Sequence, residues 1–423
     1  METQYTYQIR HIQLQQPLSL PALEEDRGGQ YLVYWWQSIP LGHLFLEPGT
    51  VLSFQEYQER VLYAVRPSLE FYAQRSLVSV PEKPNGLPLQ PLTDWVNDLE
   101  VVLQDFLPET LPDQVPVSVV ICTCNRPQQL AQCLERFTHL ACLPQELLVV
   151  DNAPKDDATK EVVRQFAGVR YVREPQVGLD VARNTGARLA HYPVVAFVDD
   201  DVTIHEAWLY QVWETFQDPK VAAMTGLVLA AELKSEAQCI FEKHWSFNRG
   251  FLDKTFEAEF FRSTFRKGPP VWKIGAGANM AFRKSVFEDV GYFDELLDAG
   301  AAGCNGDSEM WYRILAKGHT IHYNPRAVVF HAHREGVQEL KRQIFNYMRG
   351  HTVAALVQRQ HQRAGYLKYL IKLFVVSYSR SAVKGFPAYN FRYRTLWAQI
   401  TGVVAGFGFY LKHKVSQGKI TMK

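Results

Sequence analysis

Residues 194–201 read V-V-A-F-V-D-D-D. Five apolar residues in a row, 194–198, predict a strand buried on both faces, as in a parallel sheet covered by helices. Asp199, Asp200 and Asp201 follow at its C-terminal end. In open α/β sheets that edge is where ligands bind. Three adjacent carboxylates repel one another unless a cation sits among them, and hard oxygen ligands suit Mg2+ or Mn2+. A solvated acidic turn is the plain alternative.

Working outward, strands alternate with helices from residue 115 onward, the signature of a parallel sheet. Residues 117–123 (V-S-V-V-I-C-T) predict the first strand, followed by C-N-R-P and a helix over 128–137. Residues 146–151 (E-L-L-V-V-D) predict the second strand, 157–166 a helix, and 169–173 a short strand. The segment 178–186 (G-L-D-V-A-R-N-T-G) opens a third helix. Thr123, Asp151 and Asp199 each end a predicted parallel strand, so the three share one edge. Their chemistry suits a nucleoside diphosphate. Asp151 can accept from a base imide or a ribose hydroxyl, and Asn125, Arg126 and Arg183 can hydrogen-bond ribose, base or diphosphate. For Arg183 a surface salt bridge is the alternative. Neither a G-x-G-x-x-G nor a G-K-[ST] follows the first strand, which disfavours a dinucleotide-binding dehydrogenase or a P-loop enzyme. The nucleotide is then held by side chains and a metal.

Taken together, V-S-V-V-I-C-T-C-N-R-P, E-L-L-V-V-D-N, G-L-D-V-A-R-N-T-G and V-A-F-V-D-D-D resemble, in order and spacing, the inverting family 2 glycosyltransferases of GT-A fold. The likeness covers residues 115–334. It implies a GT-A-like α/β domain with a mostly parallel sheet, a nucleotide-diphosphate sugar donor, a divalent metal and inversion at the anomeric carbon. By that likeness Asp151 touches the nucleobase, Asp199 the ribose or metal, and Asp201 the metal. Residues 271–283 (V-W-K-I-G-A-G-A-N-M-A-F-R) resemble the family's glycine-rich strand before the acceptor side. In G-C-N-G-D-S-E-M-W-Y-R, residues 303–313, Asp307 fits the family's catalytic base, while Gly306 stands where Glu is common. A helix cap is the alternative role for Asp307, and Glu309 is the second candidate base. The run His331-Ala332-His333-Arg334 follows a strand-like stretch, and period two puts both imidazoles on one face. His333 is assigned provisionally to the metal, with the choice between the two histidines left open.

The 423 residues are 47% hydrophobic and 13% aromatic, enough for two or three domains with real cores. The expected division is a small acidic β-rich module plus linker over 1–110, the transferase domain over 111–335, and a basic helical tail over 336–423. Net charge is +1, yet residues 334–423 carry 16 Lys/Arg against two Glu, leaving the remainder at −13. A basic tail rich in Tyr, Phe and Leu suits an anionic surface. Its apolar stretches, 366–378 and 396–411, fall short of ~18 uninterrupted apolar residues, so attachment at the membrane surface is expected rather than a span.

In the module, 31–37 predicts a strand, 43–46 its hairpin partner and 54–65 a helix. Trp35-Trp36 reads as core or interface packing before sugar stacking. Residues 81–91 read as a linker and 95–106 as a helix. No secretory signal is visible, and six scattered cysteines without a C-x-x-C pair fit a reducing cytoplasm. Partners expected are the sugar donor, a glycan or lipid-linked acceptor in surface polysaccharide or glycolipid assembly, and the inner face of the cell membrane. No recognition-helix or RNP-like pattern points to nucleic acid. A sugar-nucleotidyltransferase and a non-catalytic carbohydrate-binding protein on a transferase scaffold are the competing classes.

Overall fold

The computed structural model describes residues 6–21, 28–75, 100–362 and 364–417. The linker over 81–91 and residues 95–99 of the helix expected over 95–106 lie outside them; residues 100–103 are helical and Gln104–Phe106 is a 3-10 turn. A nine-stranded sheet organises the chain. Its strands are β4 (Gln114–Thr123), β5 (Leu143–Asn152), β6 (Val169–Glu174), β7 (Val194–Asp199), β8 (Val202–Ile204), β9 (Val221–Ala230), β10 (Lys254–Phe256), β11 (Asn279–Arg283) and β12 (Thr320–His331). The order is β10-β12-β9-β11-β7-β4-β5-β6, with β8 paired to β12. The block β7-β4-β5-β6 is parallel, as is β12 on β9. β11 is the exception in the middle, running antiparallel to both β7 and β9.

Alternation along these strands feeds two cores, because successive side chains leave opposite faces. Val120, Cys122, Leu148 and Val150 face one layer, where Ala182 and Ala187 of the Leu179–Leu189 helix pack. A methyl at Gly186 would lie 2.4 Å from Val120, so the bare glycine lets that helix close on the sheet. Val119, Ile121 and Val149 face the other layer, against Leu130, Cys133 and Leu134 of the Pro127–Thr138 helix and Trp208 of the Trp208–Thr215 helix. Both faces are therefore dry, which is why the strands read as unbroken apolar runs.

The N-terminal segment forms a three-stranded sheet of β1 (Tyr7–Gln13), β2 (Gly29–Trp36) and β3 (Ile39–Leu46), with the Phe54–Arg75 helix on one side. Alternation splits β2: Leu32, Tyr34 and Trp36 face that helix, while Tyr31, Val33 and Trp35 join the core of the large domain. Both tryptophans are buried, Trp35 stacking on His205. A buried ion pair pins the junction. Arg326 of β12 donates two bonds of 2.7 Å to Asp253 and one of 3.0 Å to Tyr72 on the Phe54–Arg75 helix.

The C-terminal segment is helical: Val337–Gln362, Tyr366–Lys372, Ser379–Gly385 and Leu396–Gln417. The expected single helix over 366–378 instead widens into a π-helical turn at Leu373–Tyr378. The two long helices pack closely because Gly402 and Gly406 sit against Phe345 and Thr352. Gly350 does the same against the Cys304 carbonyl and so seats the first of them on the large domain. No helix among the described residues is long and apolar enough to cross a membrane. The strand expected over 271–283 is confined to Asn279–Arg283; its first residues form a 3-10 turn, Val271–Lys273, and a loop.

Candidate active site

Parallel register brings the strand ends together. Cys122 lies opposite Asp199, and Thr123 opposite Asp151. A cavity of about 1220 Å³ opens at this edge. Asp199, Asp200, Asp201, Thr123, Arg126, Arg183, His331 and Asp307 line it.

The acidic triplet divides its labour. Asp200 is buried and turned inward, accepting from Thr123 Oγ1 at 2.7 Å and Arg126 at 2.9 Å. Asp199 and Asp201 remain for the cavity. Their carboxylate oxygens and a ring nitrogen of His331 all lie within 4.8 Å of one another. Asp201 Oδ1 is buried with no hydrogen-bond partner, a costly state for a carboxylate oxygen unless something cationic completes it. Burial pushes the Asp199 carboxyl up to about 7; Arg183 opposes this, and Asp201 and Asp200 add to it. Burial also pushes His331 down to about 4, against the pull of Asp201, so the imidazole is neutral and its nitrogen can ligate. The donor set fits a divalent cation.

The grouping of the carboxylates favours His331 over the provisional choice of His333. The strand ends at His331, which pairs with Val202 next to Asp201, and this register delivers the first imidazole to the carboxylates. His333 lies behind it, buried, 3.0 Å from Glu242 and 3.2 Å from His331. It supports the His331 ring instead of joining the cluster, as partners of metal-binding histidines do.

The Leu179–Leu189 helix supplies a second charged group. Arg183 is buried, 3.1 Å from Asp180 and 3.7 Å from Asp199. The surface salt bridge considered for it is thus a buried one reaching the metal cluster. Asp298 holds the start of this helix, accepting from the amides of Leu179 and Asp180 at 2.7 and 2.5 Å. Gly178, at φ +150°, is required because a Cβ would lie 2.5 Å from the same Asp298 carboxylate. Burial pushes Asp180 up to about 7 despite Arg183.

Asp307 stands at the start of the Gly306–Ala316 helix, half-buried. The N-cap position belongs to Asn305, while Asp307 Oδ1 accepts from the first-turn amide of Ser308 at 2.6 Å. A methyl at Gly277 would lie 2.9 Å from Arg183 and 3.1 Å from Asp307, which places both side chains against the same bare glycine. At Gly306 a Cβ would fall 1.8 Å from Asp180 Oδ2. No side chain fits there, because the Asp180 carboxylate already fills the space. Glu309 is excluded as a base: it is buried away from the cavity, with Arg313 Nε 2.9 and 2.8 Å from its two oxygens.

The remaining nucleotide candidates lie to the side of this group. Asp151 is fully buried and does not line the cavity; Tyr171 donates to its Oδ2 at 2.8 Å, and Oδ1 has no hydrogen-bond partner. Asn125 is exposed, outside the cavity wall, and accepts from the Lys155 amide at 3.0 Å. Arg126 is engaged with Asp200 and Asp201. Sequence reasoning missed Asp180, although its place three residues before Arg183 on a helix is the spacing of an ion pair. It also missed the cavity wall built by Arg342, Asn346 and Tyr347 of the first C-terminal helix. No local pattern in the sequence could have placed that helix there.

Residues 118–291 match the profile of Glycosyl transferase family 2. The matched segment is less than half of the chain, and it contains the parallel strands and the acidic strand end already described. A hyaluronan synthase from Pasteurella multocida is 26% identical over 282 residues, 58% of this chain and 28% of that protein. The chain therefore spans less than a third of that relative. Glycosyltransferase AglE of Haloferax volcanii is 26% identical over 234 residues, 54% of this chain and 70% of that protein. Among solved structures, a mannosyltransferase from Pyrobaculum calidifontis in complex with GDP-Man and Mn2+ has 18% identity and a TM-score of 0.46. It covers 73% of this chain and 91% of its own, a likeness too distant to carry an argument.

Proposed function

We propose that the protein is a metal-dependent, inverting glycosyltransferase that moves a sugar from a nucleoside-diphosphate donor to an acceptor hydroxyl. The observation that carries this reading is the Asp199–Asp201–His331 cluster in the same cavity as Asp307. Asp199, Asp201 and His331 would hold a divalent cation, Mg2+ or Mn2+, which supplies Lewis-acid neutralisation of the leaving diphosphate. Arg183, already buried beside Asp199, adds fixed positive charge for the same group. Asp151, fully buried and outside the cavity wall, is given no contact with the nucleotide in this reading. Asp307 takes the acceptor hydroxyl proton. The acceptor oxygen bonds to the anomeric carbon from the face opposite the nucleotide as the carbon–phosphate oxygen bond breaks. The electron pair leaves with the nucleoside diphosphate. One displacement inverts the centre and needs no enzymic nucleophile.

The direct test measures nucleoside diphosphate release from a panel of sugar nucleotides with and without Mn2+. Chelation is expected to abolish release, and Asp201→Ala to weaken metal-dependent nucleotide binding. A variant that binds nucleotide with the wild-type metal dependence would remove Asp201 from the site. A nucleotidyltransferase would instead form sugar nucleotide and pyrophosphate from a sugar phosphate and a nucleoside triphosphate.

The acceptor reading is a glycan or lipid-linked glycan, assembled at an anionic membrane surface. What supports the membrane part is a patch of exposed Ile371, Phe374, Val375 and Val376 flanked in sequence by Lys368, Lys372, Arg380 and Lys384. Apolar residues of this kind bury at the headgroup boundary, and each basic residue near an anionic surface adds about 1 kcal/mol. Phe374→Ser combined with Val375→Ser is expected to abolish cosedimentation with phosphatidylglycerol vesicles. Undiminished binding would rule this patch out.

A further inference from the structure

The cavity is larger than the ~300–1,000 Å³ typical of a small-molecule pocket, so it has room beyond a donor. One part of its wall has no role in the chemistry above. Trp272, from the loop before β11, meets His351 of the Val337–Gln362 helix edge-to-face, with ring centroids 4.7 Å apart at 88°. Tyr369 of the Tyr366–Lys372 helix closes the cluster, 5.3 Å from Trp272 and 5.7 Å from His351. All three line the cavity. Two of them lie beyond residue 291, outside the segment that matches the family.

The cluster is held in place from behind. Arg249 donates to the carbonyls of Trp272 and Gly275 at 3.0 and 3.4 Å. Tyr366 donates to the Pro269 carbonyl at 2.6 Å, tying the helix that bears Tyr369 to the same loop. Yet His351 Nε2 is buried without a hydrogen-bond partner. Leaving a buried polar group unpaired costs about 1–3 kcal/mol, so packing alone is a poor reason for a histidine there. The Trp272 and Tyr369 rings, tilted 36° to each other, beside one unsatisfied ring nitrogen suit a ligand with apolar C–H faces and hydroxyls at its rim. That is a saccharide ring. An isoprenoid chain would leave the nitrogen unpaired.

We propose that Trp272, His351 and Tyr369 form the acceptor subsite, and that it takes a saccharide ring, so the enzyme extends a glycan. This rests on the glycosyltransferase reading. The test uses the full chain with Mn2+ and either UDP or GDP. Methyl β-glucoside, methyl β-galactoside, methyl α-mannoside, methyl β-N-acetylglucosaminide and geranyl phosphate are titrated by calorimetry. At least one glycoside is expected to saturate. Trp272→Ala and His351→Ala should each weaken it about tenfold, while binding of the nucleotide reports that the variants are folded. Saturation by geranyl phosphate alone, by no glycoside, or equally in wild type and variants overturns the subsite. Failure of the wild type to bind either nucleotide with Mn2+ would instead overturn the donor reading on which it stands.

Discussion

Asp307→Asn is expected to lower sugar transfer by about 10²–10⁴-fold, the usual contribution of a general base, while nucleotide binding persists. The substitution keeps the side chain's size, so the tight contact with Gly277 survives and the helix start is undisturbed. What is lost is a basic carboxylate oxygen facing the cavity. Nucleotide affinity should hold because the cation cluster is formed by Asp199, Asp201 and His331, without Asp307. Single-turnover transfer and calorimetric nucleotide binding, measured on the same preparation, separate the two effects. Transfer within tenfold of wild type would refute the assignment. Glu309→Gln provides the contrast. It should disturb the Arg313 network, which also ties the carbonyls of Val290 and Tyr292, and so act on stability ahead of chemistry.

Asp253→Asn is expected to destabilise the fold by about 3–5 kcal/mol, because it strands the Arg326 guanidinium in a nearly dry junction. Burial alone would raise the Asp253 carboxyl. The charge of Arg326, with hydrogen bonds from His322 and Arg326, overrides that and holds it well below the usual carboxylate range. A carboxyl depressed in the folded state contributes its stability above the unfolded pKa of about 4 and loses it as the pH falls further. The gap between wild type and variant should therefore be full at neutral pH and narrow below about pH 4. Thermal melting across that range measures it. Replacing both partners, Asp253→Leu with Arg326→Met, should cost less than the single change, since no charge is left unpaired. Equal melting of wild type and Asp253→Asn at neutral pH would show that the Asp253–Arg326 pair contributes no net stability.

The choice among the histidines shows where local pattern stops being informative. The family likeness singles out Asp199 and Asp201 from the triplet, and in the structure these two face His331 while Asp200 turns inward to Thr123. Period-two alternation treats His331 and His333 as equivalents. They are not, since His331 reaches Asp201 while His333 lies behind it against Glu242. Only the pairing of β12 with β8 sets which ring meets Asp201. Gly306 is a similar case. In the sequence it reads as a missing carboxylate, whereas in the structure its bareness makes room for the carboxylate of Asp180.

By itself the sequence determined the alternation of strands and helices, the edge at which polar strand ends gather, and the acidic triplet at the end of the strand over 194–199. Those features are written in runs and spacings of a few residues, and such patterns are local. Tertiary structure alone decided that His331 completes the cluster, that Glu309 is spent on Arg313, and that a C-terminal helix walls the cavity. Each of these depends on contacts between segments tens to hundreds of residues apart, whose distances no local period encodes.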